Sequence, residues 1–159
     1  MEPEKLPLLN KNEYDNLINE QYLCRISYVG EKFPQIKLFL YVFDGRHIYI
    51  LATKYGKKMK YLKDNPIVTV EIDDISEDLA DYKFVTLSGR LERVMDKESC
   101  KKVREKFVDL IKEKTLSKNV MVALGHSNED PIDAISEEER TYVFRLVDVE
   151  DISGFKRGE

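Results

Sequence analysis

The pair Asp44-Gly45 stands between two runs, QIKLFLYVF and RHIYILAT, that are rich in β-branched and aromatic residues. An Asp-Gly step in that setting is the strongest short-range hairpin signal a chain can carry, because the tight turn that matches strand twist needs residues tolerant of positive φ. Residues 36–53 are thereby committed to two antiparallel strands. In the first, Ile36, Leu38, Leu40 and Val42 fill one face, and Phe39, Tyr41 and Phe43 make the other face apolar as well. A strand with one wet side would alternate, so this one has to be covered on both sides. A small barrel offers only one inside. The second cover is either a helix or another copy of the chain, symmetric dimers being the commonest oligomers.

Further strands follow the same logic. CRISYVG and IVTVEID read as strands on either side of this hairpin, and YKFVTLSGRLERV alternates, with Val85, Leu87, Gly89 and Leu91 on one face and Thr86, Ser88, Arg90 and Glu92 on the other. A final long strand spans RTYVFRLVDVEDI. Helices are marked by their caps. Asn10 with Glu13 has capping-box spacing and Leu9 with Tyr14 hydrophobic-staple spacing, which predicts a helix from about Asn10 to Tyr22. Asp96 caps a second, in which Val103, Phe107, Leu110 and Ile111 form the apolar stripe. A short helical stretch, SKNVMVALG, is stopped by Gly125 and followed by an acidic loop, HSNEDPIDAISEEER. Strands with inserted helices, rather than alternating βαβ units, point to an antiparallel sheet or small barrel of the α+β class, mainly β. A length of 159 residues predicts a single domain over residues 1–159.

Cys24 and Cys100 are far apart and without a second cysteine nearby, which argues against zinc spacing, a redox pair or a disulfide framework and points to a reduced, cytoplasmic setting. MEPEKLPLL has neither a basic n-region nor an adequate apolar run, and no stretch is long enough to span a bilayer, so the expectation is a soluble chain with no membrane partner.

Against a net charge of −4, the ten positions Lys54 to Lys63 hold five lysines and no carboxylate, leaving the remainder at −9. The segment follows strand IYILAT and predicts a short helix from about Lys57, with Met59 and Leu62 inward and Asn65-Pro66 as its stop. A helix start presents unpaired N–H groups and partial positive charge, where a phosphate is stabilised. Lys57 and Lys58 add full charges, Gly56 permits close backbone approach, and Thr53 offers a hydroxyl. The plainer reading is a solvated face carrying Lys54, Lys60 and Lys63.

The run ILATKYGKKMKYLKDNPIVTVEID, followed by YKFVTLSGRLERV, resembles the FMN-binding split barrels related to pyridoxamine 5′-phosphate oxidase. The matching features are a strand ending in Thr53, Gly56 before the basic pair Lys57 and Lys58, Asn65-Pro66 opening the next strand, and Gly89 followed by Glu92. The resemblance covers roughly residues 10 to 95 and the last strand. It implies a six-stranded antiparallel split β-barrel with flanking helices, a homodimer, and FMN in a groove between protomers. It further implies that Lys57 and Lys58 hold the phosphate with Thr53 assisting, that Leu51 and Ala52 face the flavin with their main chain, and that Lys37 is a weaker candidate for the ring or ribityl chain. Where the oxidases carry Gln before Val this chain has Phe84 before Val85, and it has no tryptophan and no Arg-x-His-x-Arg segment near its end. The substrate half of that enzyme is thus missing, and the resemblance implies an FMN-dependent oxidoreductase acting on another small molecule or electron donor.

A flavin would carry the redox chemistry itself, so the lack of acid and base motifs is no obstacle. A non-catalytic flavin-binding or carrier protein would show the same residues. A third class, a single-stranded nucleic-acid module using Tyr55, Tyr61 and the lysines, is opposed by the acidic remainder, and no nucleic-acid partner is expected. His47, after the turn, reads as an exposed strand residue. His126, near Asn128, Glu129 and Asp130, reads as part of a solvated acidic loop, and no metal is expected.

Overall fold

The computed structural model describes residues 4–158; the first three residues of the N-terminal stretch weighed above lie outside them. In chain order the elements are α1 (Lys11–Glu20), β1 (Leu23–Val29), β2 (Pro34–Phe43), β3 (Ile48–Thr53), α2 (Lys57–Asp64), β4 (Ile67–Ile75), β5 (Tyr82–Arg93), α3 (Lys97–Glu113), α4 (Val120–Ala123), α5 (Ala134–Glu137) and β6 (Thr141–Arg157). The six strands close into an antiparallel barrel in the order β1-β2-β3-β6-β5-β4.

Local chemistry sets the boundaries. Asn10 Oδ1 accepts from the Glu13 N–H at 2.9 Å and Glu13 Oε1 accepts from the Asn10 N–H at 3.2 Å, so both halves of the capping box form at the start of α1. Asp96 caps α3 through the Ser99 N–H at 2.9 Å. At the hairpin, Asp44 Oδ1 accepts from the N–H groups of Arg46 and His47 at 2.9 and 2.7 Å, and its Oδ2 accepts from the Tyr49 hydroxyl at 3.1 Å. In β5 every residue from Val85 to Leu91 with an odd number is buried and the even ones are half-exposed, as the alternation requires. A β-bulge between Ser88 and Arg90 bends the long β5–β6 ribbon. A Cβ at Gly89 would stand 2.6 Å from the Val147 carbonyl oxygen, so only glycine fits the bend.

There are two cores. Inside the barrel, Ile26, Tyr41, Ile50, Val70, Ile72 and Val85 pack with Leu17 and Ile18 of α1 and Leu62 of α2. Outside it, α3 lays Val103, Phe107 and Ile111 over Leu40, Val42, Tyr49, Leu51 and Val143. The second cover of the doubly apolar strand is therefore a helix over the C-terminal half of β2. No described element covers the N-terminal half, where Ile36 and Leu38 remain 67% and 60% exposed.

Two expectations about the elements needed correction. The acidic stretch after Gly125 is more than a loop, for α5 forms within it and buries Ala134 and Ile135. The last strand also runs on to Arg157 instead of ending at Ile152, because its end pairs with Tyr82 across the ribbon.

Candidate functional site

The barrel is closed by register, yet one seam is short. β2 pairs with β1 over Pro34–Leu40, and with β3 only over Tyr41–Phe43, opposite Ile48–Ile50. Continued by two steps, that register would set Leu40 against Leu51 and then Phe39 against Ala52. Instead the strands part, and the edge of β3 from Leu51 to Thr53 that faces β2 has no strand partner among the described residues, while its other edge is held by β6. Unpaired main-chain donors and acceptors are costly unless something satisfies them.

α2 begins at the wide end of this gap. Its N-cap, Gly56, has φ 97° and makes no side-chain cap hydrogen bond, so the N–H groups of the first turn lack the usual side-chain acceptor. Nothing lies within 4 Å of where a Cβ on Gly56 would stand, so open space borders the helix start. Lys57 is exposed there, whereas Lys58 is half-buried. The Lys58 ammonium lies 5.2 Å from the centre of the Phe39 ring, on the strand across the gap. Burial first, and the charge of Lys37 second, push the Lys58 ammonium below its ordinary value. Lys37 and Lys58 thus converge on one side of the gap, and neither is in an ion pair among those of the described residues.

Of the residues expected from the sequence, Lys37 and Lys58 meet at the mouth of the gap, and Lys57 stands exposed at the helix start next to Lys58. Leu51 and Ala52 are 2% and 0% exposed, main chain included, with their side chains committed to the outer and inner cores respectively, so the single chain does not present the main-chain surface that the resemblance implied for them. Thr53 is buried at 7% exposure, so little of its side chain is presented. Phe39 was missed as a site residue; its apolar neighbours in sequence mark it only as core. Lys54 points away from the gap, its ammonium 5.2 Å from the Tyr142 ring centre on β6. Tyr61, weighed for base stacking, packs instead against Tyr28 with ring centres 6.3 Å apart. His47 is half-buried beside Tyr49. His126 departs from the solvated reading: it is 6% exposed, with Nδ1 3.5 Å from Asp130 Oδ2. No group of three or more potential metal ligands occurs among the described residues, and no described helix is long and apolar enough to cross a membrane.

Residues 10–154 match the family described as pyridoxamine 5′-phosphate oxidase. The chain belongs to that family. No curated protein sequence matches it. Among solved structures, an FAD-binding protein from Mesorhizobium loti superposes with a TM-score of 0.70 at 20% identity, over 96% of this chain and 99% of that one. The FAD-binding protein of Mycobacterium smegmatis gives 0.60 at 17% identity, over 94% and 97%. The heme storage protein of Vibrio cholerae gives 0.65 at 17%, over 91% and 95%. At such identities these likenesses establish the split-barrel fold that the family member shares with them.

Proposed function

We propose that the chain binds FMN in the gap between β2 and β3 and acts as an FMN-dependent oxidoreductase of the pyridoxamine 5′-phosphate oxidase-like type, in the cytoplasm and as a homodimer. The observation that carries this is Lys58, a half-buried cation without a carboxylate partner, beside Lys37 and an uncapped helix start. Such a cation is destabilised by its surroundings until an anion arrives. The chain's own residues fit the group. Lys57 and Lys58 neutralise the phosphate together with the first N–H groups of α2, and the ring lies in the gap alongside β3. Thr53 closes the strand end beside it, and Lys37 faces the same space from β2. When bound, the flavin supplies the electron or hydride transfer.

Ile36 and Leu38 support the dimer. They lie on the exposed half of β2, next to the gap, and a second copy laid over them would bury both and keep water from the cleft. Phe84, standing where the oxidases carry Gln, argues for a substrate other than a pyridoxamine phosphate. Two of the similar structures are FAD-binding proteins, so the titration that tests the proposal compares FMN, FAD and riboflavin on the purified protein by visible absorbance. Tightest binding of FMN supports it, and no binding of any flavin would overturn it. Reduction of the loaded protein by NADH or NADPH, followed by reoxidation with an acceptor, separates an oxidoreductase from a carrier, which would not turn over. Light scattering of Leu38→Asp against the unsubstituted protein tests the dimer.

A further inference from the structure

A second concavity, about 630 Å³ in volume, opens beside α2 toward β5 and β6. None of the residues assigned to the flavin gap lines it. Leu62, Leu91 and Phe144, all members of the barrel core, reach its surface, with Met59 beside them, so it is a mouth of the interior rather than a surface dimple. The volume falls within the range of small-molecule sites, roughly 300 to 1,000 Å³, and its apolar lining is of the same kind.

Its charged lining has one sign. Lys54, Lys60, Lys63 and Arg93 border it and no carboxylate does, in a chain whose net charge is −4. Two of these cations are drawn to one ring: the Arg93 guanidinium carbon lies 3.8 Å from the Tyr142 ring centre and the Lys54 ammonium 5.2 Å from it. Both gain cation–π attraction, and neither is in an ion pair among those of the described residues, so their mutual repulsion is relieved by no direct carboxylate contact. An adjoining hollow shares Lys54, Arg93 and Tyr142 and adds Lys97, Arg104 and one carboxylate, Glu139, so it holds four cations against a single anion. Arg104 is 6% exposed; its Nη2 donates to the Thr141 carbonyl at 2.6 Å, while its Nε is buried with no partner. An orphaned, buried guanidinium donor beside two further cations is an arrangement that favours a bound anion.

We propose that this mouth binds a small amphipathic carboxylate, an aromatic or branched aliphatic acid. Its apolar body lies over Leu91 and Phe144, and its anionic head lies between Lys54 and Arg93. A purely polar anion would leave the apolar floor unused, and a neutral hydrocarbon would leave the cations unrelieved. The site does not depend on the flavin reading, since it shares no residue with that gap.

The test uses the full chain, with and without saturating FMN, and 1-naphthoate with its neutral amide as probes. Methyl NMR signals of Met59, Leu62 and Leu91 report the mouth. Naphthoate is expected to shift them saturably and to bind at least about tenfold more tightly than the amide, the scale of one charge-assisted hydrogen bond. Lys54→Gln combined with Arg93→Gln is expected to remove that preference while leaving the FMN titration unchanged. Lys60→Gln with Lys63→Gln serves as a second, independent reduction of the rim charge and is expected to weaken naphthoate by a smaller factor. Absence of saturable shifts, equal binding of acid and amide, or displacement of naphthoate by FMN would each overturn the proposal. A chain that binds naphthoate but no flavin would overturn the flavin reading alone.

Discussion

Replacing Lys57 and Lys58 together by alanine removes the two charges that would meet a flavin phosphate and leaves the strand gap in place. The contributions differ because the environments differ. Lys58 is half-buried beside Phe39 and its charge is poorly solvated, so a charge-assisted hydrogen bond from it is worth about 1.5–3 kcal/mol. Lys57 is exposed, and an ion pair there is worth roughly 0.5–1 kcal/mol. The double variant should therefore bind FMN about 30- to 1,000-fold more weakly, at tenfold per 1.4 kcal/mol. Riboflavin, which lacks the phosphate, should change by less than about threefold, a shift of roughly 0.6 kcal/mol. Lys58→Ala alone should account for most of the loss. The apo protein should not be destabilised. The substitution forfeits a cation–π contact of about 0.5–1 kcal/mol, but it also relieves repulsion from Lys37, desolvation of the ammonium and an unfavourable charge at a helix start. Fluorescence titrations of both ligands, with thermal melts of the apo forms, test all of this. Equal losses for FMN and riboflavin, or loss of FMN that merely tracks a lower melting temperature, would refute the reasoning.

Glu71 gives a pH prediction. Desolvation, with the neighbouring Asp73 adding to it, pushes its carboxyl up to about 7, against the opposing pull of Arg25. The folded state then holds a proton that the unfolded state has released, so stability should fall as pH rises from about 4.5 to 7 and level off above; allowing for its exposure to solvent, the change is about 1 kcal/mol. Urea titrations across that window should show the slope, and Glu71→Gln should flatten it. Phe107→Ala removes a fully buried ring from the layer between α3 and the sheet, at a cost of about 3–5 kcal/mol measured by denaturant unfolding; a loss below about 1 kcal/mol would mean that α3 is not packed there. Burial pushes the Cys24 thiol up to about 12, so a thiol reagent should leave it unmodified at neutral pH until the chain is unfolded.

What was legible in the sequence was what depends on near neighbours. The Asn10–Glu13 box, the Asp96 cap and the alternation of β5 are fixed within a few residues, and they stand where expected. The family resemblance supplied what local patterns could not, that six strands close into one barrel. By contrast, α5 is a single turn of four residues, too short for any periodicity to register, and it is held by burial of Ala134 and Ile135. At the site, the basic pair was visible because it is contiguous. Lys37 entered only through the family resemblance, and the approach of Phe39 left no local signal, since both residues lie on another strand. The cluster of Lys54, Arg93 and Tyr142 draws on three distant segments and leaves no pattern in any of them.

The gap itself follows from a conflict over β2. Its residues from Pro34 to Leu40 are claimed by β1, and the last three by β3. At one end the Asp44 turn clamps the two strands, with its carboxylate taken up by two N–H groups and the Tyr49 hydroxyl. At the other end β3 is held by β6 as far as Thr53, after which Gly56 redirects the chain into α2, whose Lys58 sits over Phe39. A hairpin pinned at its turn and drawn to different neighbours beyond it must open as a wedge. The wedge opens toward the lysines of α2, so the topology that closes the barrel is also what leaves a strand edge unpaired beside concentrated positive charge. A planar ligand with a phosphate at one end needs that combination, and an intact hairpin could not provide it.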